Sequence, residues 1–147
     1  MANHLKKTLL LFIIFSTIAF SMDSIQDAID SAEPGSTIEV PSGSYYESLS
    51  INKSVNITCP SLDCVLDARG IDSRAIVIGG SEDVDEVSNV LIEGFIIPGD
   101  ETMYAGIIVT PKCSDINISN NTIHGMALSS PSNTSPLSYG ILIYGES

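Results

Sequence analysis

From residue 37 onward, apolar and polar positions alternate in short runs, with glycine, asparagine and serine between them. Thr37-Ile-Glu-Val40 sets Ile38 and Val40 on one face, and Pro41-Ser-Gly43 turns the chain. Leu49 and Ile51, Val55 and Ile57, and Val65 and Leu66 continue the inward series. Arg74-Ala-Ile-Val-Ile78 ends at Gly79-Gly80, and Gly140-Ile-Leu-Ile143 restarts the pattern after a loop at 127–138 rich in serine and proline. A period of two over three to five residues predicts short half-buried β-strands. Ahead of them the period is helical. Ile25, Ala28, Ile29 and Ala32 form one stripe, Ser24 caps it, Asp27 sits in the first turn, and Pro34-Gly35 stops it. This predicts a short amphipathic helix over 24–33.

The strands repeat. Asn89-Val-Leu-Ile-Glu-Gly-Phe-Ile-Ile97 reads onto Asp115-Ile-Asn-Ile-Ser-Asn-Asn-Thr-Ile123 at an offset of 26 residues. Val90, Ile92 and Ile97 fall on Ile116, Ile118 and Ile123. A second series, Ile76/Ile78, Ile107/Val109 and Ile141/Ile143, recurs at offsets of 31 and 34. A fixed period with loop insertions is the signature of stacked repeats. An antiparallel sandwich is the competing architecture, but the Asn-Gly or Asp-Gly turns of tight hairpins do not occur between these strands. The expectation is an all-β solenoid with the helix as an N-terminal cap, because end coils need cover.

The arrangement Ile25-Gln-Asp-Ala-Ile29, Gly35-Ser-Thr-Ile-Glu-Val-Pro-Ser-Gly-Ser-Tyr45, Leu49-Ser-Ile-Asn-Lys-Ser-Val-Asn-Ile57 and Val65-Leu-Asp-Ala-Arg-Gly70 resembles the opening of right-handed parallel β-helix proteins. The similar group is the pectate-lyase-like superfamily, in particular its NosD-like carbohydrate-binding and sugar-hydrolysis domains. Gly106-Ile-Ile-Val and Ile116-Asn-Ile-Ser-Asn-Asn-Thr-Ile123 resemble its generic coil, and the likeness runs over about residues 24–145. It implies a right-handed parallel β-helix of a first few coils at 22–147, incomplete at its C-terminal end. In the enzymes of the superfamily it places active sites on the outer face of the middle coils. Most of that region lies beyond this sequence, so the resemblance assigns no catalytic residue here. Fold likeness of this kind says little about activity.

Composition narrows the context. Residues 1–21 read as a secretory signal peptide: Lys6 and Lys7, an apolar run of about 12 residues from Leu9 to Phe20, and Ala19-Phe-Ser21, which predicts cleavage after Ser21. The run is short of the roughly 20 residues that span a bilayer; an uncleaved anchor is the alternative. The whole chain carries a net charge of -12, from 18 acidic and 6 basic residues. Without Lys6 and Lys7 the balance is more acidic still. That argues against nucleic-acid and anionic-membrane partners. Cys59 and Cys64 enclose Pro-Ser-Leu-Asp, a loop that an oxidising compartment would close with a disulfide. Cys113 is left as a buried small hydrophobe or a partner for another chain. Asn52, Asn56, Asn117, Asn120 and Asn133 head Asn-x-Ser/Thr sequons, read either as glycosylation sites or as ordinary polar bends.

Candidate chemistry is thin. Asp63, Asp67, Arg69 and Arg74 are the densest mixed-charge cluster, either a sugar-binding or acid/base patch or a set of local ion pairs. His124 reads as a surface residue at a bend. Tyr45, Tyr46, Tyr104, Tyr139 and Tyr144 offer faces for sugar rings or packing. Asp83, Asp85 and Glu86 are acidic enough for calcium but lack the spacing of a calcium loop. No cofactor or metal is expected. The resulting expectation is a secreted or cell-surface module with a binding or structural role, its partner a polysaccharide or surface glycan. The alternative is the N-terminal part of a polysaccharide lyase or glycoside hydrolase. A last strand at 140–144 with no following coil also predicts self-association, or pairing with another chain, through that open end.

Overall fold

The computed structural model describes residues 22–80, 86–127 and 137–145. The proposed signal segment, Asn133, Asp83 and Asp85 lie outside them. The described residues are mostly β, with one short helix, α1 (Ile25–Ser31). Twelve strands follow: β1 (Ser36–Glu39), β2 (Ser44–Tyr45), β3 (Leu49–Ile51), β4 (Val55–Thr58), β5 (Cys64–Leu66), β6 (Arg74–Ile78), β7 (Val87–Glu93), β8 (Phe95–Pro98), β9 (Ala105–Val109), β10 (Cys113–Ser119), β11 (Thr122–His124) and β12 (Tyr139–Ile143). They form three parallel four-stranded sheets, ordered β1-β4-β7-β10, β2-β5-β8-β11 and β3-β6-β9-β12. Every third strand therefore returns to the same sheet, one place further along. This stacking is compatible with a solenoid, and residues far apart in sequence become neighbours across circuits.

The repeat read from the sequence is the pairing register. Val90 and Ile92 lie opposite Ile116 and Ile118, and Ile97 opposite Ile123. Ile76 and Ile78 lie opposite Ile107 and Val109, which lie opposite Ile141 and Ile143. Inward residues align into continuous apolar columns, such as Ile38-Ile57-Ile92-Ile118 in the first sheet. Ile57, Ile92, Ile76 and Ile107 are fully buried. Each such side chain contributes about 1.5–3 kcal/mol by leaving water, so these columns outweigh any surface ion pair at about 0–1 kcal/mol. Burial falls off at the last strands: Ile118 is only half-buried, and Ile141 and Ile143 keep 44% and 67% of their surface exposed.

Two details depart from the sequence reading. In β5 the inward pair is Cys64 and Leu66, with Val65 turned outward and half-buried. The adjacent pair Val65-Leu66 cannot both point inward in a strand of period two. The helix also ends at Ser31 rather than at 33; Ala32 is extended at φ -74, ψ 139. Pro34 biases Glu33 away from helical backbone, and the break at Ala32 falls one residue ahead of that.

The helix is latched to the first circuit by polar side chains. The Glu47 carboxylate accepts from the backbone N–H groups of Ile25 (2.7 Å) and Gln26 (3.0 Å) and from the Ser24 hydroxyl (3.0 Å). The Gln26 amide accepts from Ser50 N–H and donates to Ser50 C=O, at 2.8 and 3.2 Å. It thereby substitutes for a neighbouring strand along the free edge of β3. Lys53 Nζ donates to the carbonyls of Asp30 and Ala32 at the helix C-terminus, where a cation is favoured. Ile25 and Ile29 point into the core and are fully buried.

Bends repeat as well. Gly94 and Asn120, one repeat apart, both take positive φ (87° and 54°), as do Asn89 and Asp115 (55° and 52°). Asparagine and aspartate tolerate this region better than other side chains. At Gly94 a Cβ would also collide with the carbonyl oxygen of Cys59. The Asn121 side chain bridges circuits, accepting from Phe95 N–H and donating to Ile92 C=O, both at 2.9 Å.

Candidate functional site

The loops that lead into the third sheet stack on one another. The Ser48 hydroxyl donates to Arg74 C=O (2.9 Å), Tyr104 N–H to Ser73 C=O (2.7 Å), and Tyr139 N–H to Tyr104 C=O (2.9 Å). This corner gathers most of the chemistry in the described residues. Asp67 accepts from the backbone N–H of Arg69 and from its guanidinium at 2.8 and 2.6 Å. Asp72 makes the same arrangement with Arg74, at 3.0 and 3.1 Å to the guanidinium. Asp100, one circuit on, accepts from the N–H and hydroxyl of Thr102. An aspartate that bonds the N–H two residues ahead forms an Asx turn, so all three carboxylates shape their own loops.

Electrostatics follow from those bonds. The Arg69 guanidinium holds the Asp67 carboxyl below the usual range, and the Arg74 guanidinium does the same for Asp72. Asp100 is lowered by the Thr102 hydroxyl first, with a smaller contribution from Arg69. A sugar-cleaving general acid needs its carboxyl pushed up; these three move the other way and stay ionised.

The sequence cluster of Asp63, Asp67, Arg69 and Arg74 is divided in space. Asp63 lies before β5 and Asp67 after it, so the strand runs between them, roughly 13 Å at 3.3 Å per residue. Asp63 accepts instead from Ser42 and Ser61, which lower its pKa, the Ser61 hydroxyl foremost. Asp72 belongs with the corner and was not singled out by the sequence reading. The repeated Asp-x-Arg spacing at 67–69 and 72–74 was the available signal.

Tyr104 and Tyr139 stand at the corner, and Tyr144 follows β12 at the opposite end of the third sheet, where its N–H donates to Val109 C=O. The Tyr104 and Tyr139 rings meet edge to face, centroids 5.6 Å apart at 74°. The Tyr104 hydroxyl lies 3.4 Å from that of Tyr144, and this hydrogen bond is the main reason the Tyr104 pKa is raised. Tyr46, 73% exposed, is close enough to Arg69 to influence its charge. Tyr45 does not take part: it is buried, and its hydroxyl donates to Pro41 C=O at 2.7 Å. Outward on the same sheet, Val77, Ile108 and Leu142 align in register. Ile108 is only 5% exposed despite facing away from the core.

The other candidates lie elsewhere. Cys59 and Cys64 are joined in a disulfide. Their sulfurs and the Asp63 carboxylate lie within 4.8 Å of one another, but a disulfide offers no thiolate, so this donor set does not fit a metal. Cys113 is a free, half-buried thiol packed against the core. Glu86 accepts from the Ser114 hydroxyl. His124 is exposed on β11. Asn52 is exposed between β3 and β4, and Asn120 is exposed at its bend. Asn56 and Asn117 share one outward column of the first sheet, through Leu91. No described helix is long and apolar enough to cross a membrane.

No protein-family model, curated protein or solved structure matches this chain.

Proposed function

We propose that this chain is an exported, cell-surface right-handed parallel β-helix module that binds carbohydrate at the corner leading into its third sheet. The observation that carries the reading is the meeting of the Tyr104 and Tyr139 rings beside polar Asx turns, with the Tyr144 hydroxyl, 40 residues from Tyr104 in sequence, reaching it from the far end of β12. Aromatic faces suit the apolar faces of sugar rings, and the neighbouring hydroxyls and carboxylates suit their OH groups. Right-handedness is supported by the strong preference of crossover connections between parallel strands. Export is supported by the signal-like segment at 1–21, and glycosylation by the exposed sequons Asn52, Asn117 and Asn120. A lyase or hydrolase role is disfavoured for these residues, because the corner carboxylates are engaged with their own loops and their pKa values are shifted down rather than up.

A glycan array probed with the full chain and with Tyr104→Ala tests the reading. We expect the wild type to retain polysaccharide and the variant to lose at least about tenfold in affinity, a loss of about 1.4 kcal/mol. Equal binding by a correctly folded Tyr104→Ala protein would remove this corner from the function.

A further inference from the structure

We infer that the glycan taken by this corner is uncharged, and that uronate-rich polyanions are excluded from it. The inference rests on the carbohydrate reading above and adds the substrate class. It follows from how the positive charges near the tyrosines are spent. Polyuronates are recognised by cations that grip carboxylates, above all by the two-pronged arginine fork. Arg69 and Arg74 are the corner's two arginines, and each fork is already closed on a carboxylate of its own loop, Asp67 and Asp72. Asp100 lies close enough to Arg69 to add further negative charge, and Glu101 adjoins it in sequence.

The rest of the molecule gives no relief. Lys53 is committed to the helix C-terminus. Lys112, in the turn before β10, lines a cleft with Tyr144 at the exit end of the third sheet, but Glu86 lines the same cleft and Lys112 is itself engaged. With a net charge of -12, the whole chain repels a polyanion before contact. A neutral glucan, mannan or galactan meets no such barrier. Its hydroxyls can donate to the carboxylate oxygens, and its ring faces can rest on Tyr46, Tyr104 and Tyr144.

The test is affinity electrophoresis of the full chain against a neutral β-glucan, a galactomannan and polygalacturonate, each at low and high salt. The expected result is retardation by a neutral polymer, independent of salt and abolished by Tyr104→Ala, with none by polygalacturonate at low salt. The Debye length falls from about 30 Å at 0.01 M to about 3 Å at 1 M, so any polygalacturonate binding should grow with salt. Asp67→Asn with Asp72→Asn opens both arginine forks. It should raise polygalacturonate affinity by about tenfold or more. Tyrosine-dependent binding of polygalacturonate by the wild type at low salt, weakening as salt rises, would overturn the inference and leave the sugar-binding reading standing. Failure of all three polymers to bind would overturn both. The salt series needs no variant, so a double mutant that does not fold leaves the test intact.

Discussion

Position in a column, more than residue type, sets what a side chain is worth. Ile92 is fully buried between two neighbouring strands, Ile118 is half-buried on the outermost described strand of the same sheet, and Asn117 faces out. We expect Ile92→Asp to cost more than about 4 kcal/mol, Ile118→Asp about 2–3, and Asn117→Asp about 0.5 or less. Thermal melts of the three variants should rank in that order; equal melting temperatures for Ile92→Asp and Asn117→Asp would contradict the register. The Asx aspartates carry a pH dependence. Asp67 and Asp72 have folded pKa values below the unfolded value near 3.9. Their contribution is therefore present above that value and lost as pH falls through the folded one. Arg69 and Arg74 are 43% and 44% exposed, so solvent screening keeps the contribution of each pair small. Urea titrations should find Asp67→Asn destabilising near pH 7 and progressively less so as pH falls below about 3.9.

Among the elements, α1 is the least self-sufficient. Seven residues are too few for a stable isolated helix, and this one is held by Ile25 and Ile29 beneath it and by Glu47 at its N-terminus. Removing Glu47 leaves two N-terminal N–H groups and the Ser24 hydroxyl without their acceptor. Glu47→Ala is expected to cost about 1–3 kcal/mol and to speed amide hydrogen exchange in 25–31 well before the strands open. Uniform exchange changes across the sheets would show that the helix and first circuit melt as one unit.

For the whole molecule, the strands are protected unequally. Among the described residues, β12 is an outer strand of the third sheet, and Ile141 and Ile143 expose apolar surface beside it. The cleft next to them, about 440 Å³, is lined by Val109, Cys113, Ile116 and Ile118. An outer strand with free backbone groups and exposed isoleucines invites pairing with another chain. We expect concentration-dependent association by light scattering. Ile143→Lys should reduce it with a stability change under about 0.5 kcal/mol. A wild type that stays monomeric at every concentration would show that this edge is covered.

Local alternation determined much of this protein directly. Period two chose the inward residues of most strands, and the offsets of 26, 31 and 34 residues became the pairing partners, because parallel stacking keeps like positions in line. Ser24, Asp27 and Pro34-Gly35 marked the helix, since capping and proline sterics act within a few residues. What lay beyond that range was decided by the assembled sheets. Asp63 and Asp67 are four apart in sequence yet sit at opposite ends of β5, while Tyr104 and Tyr144, 40 apart, touch. The depth of Ile118 and the shielding of Ile108 depend on what lies above and beside each strand. The corner that carries the proposed function is assembled only when loops of unequal length, from separate circuits, are brought into register by the strands they connect.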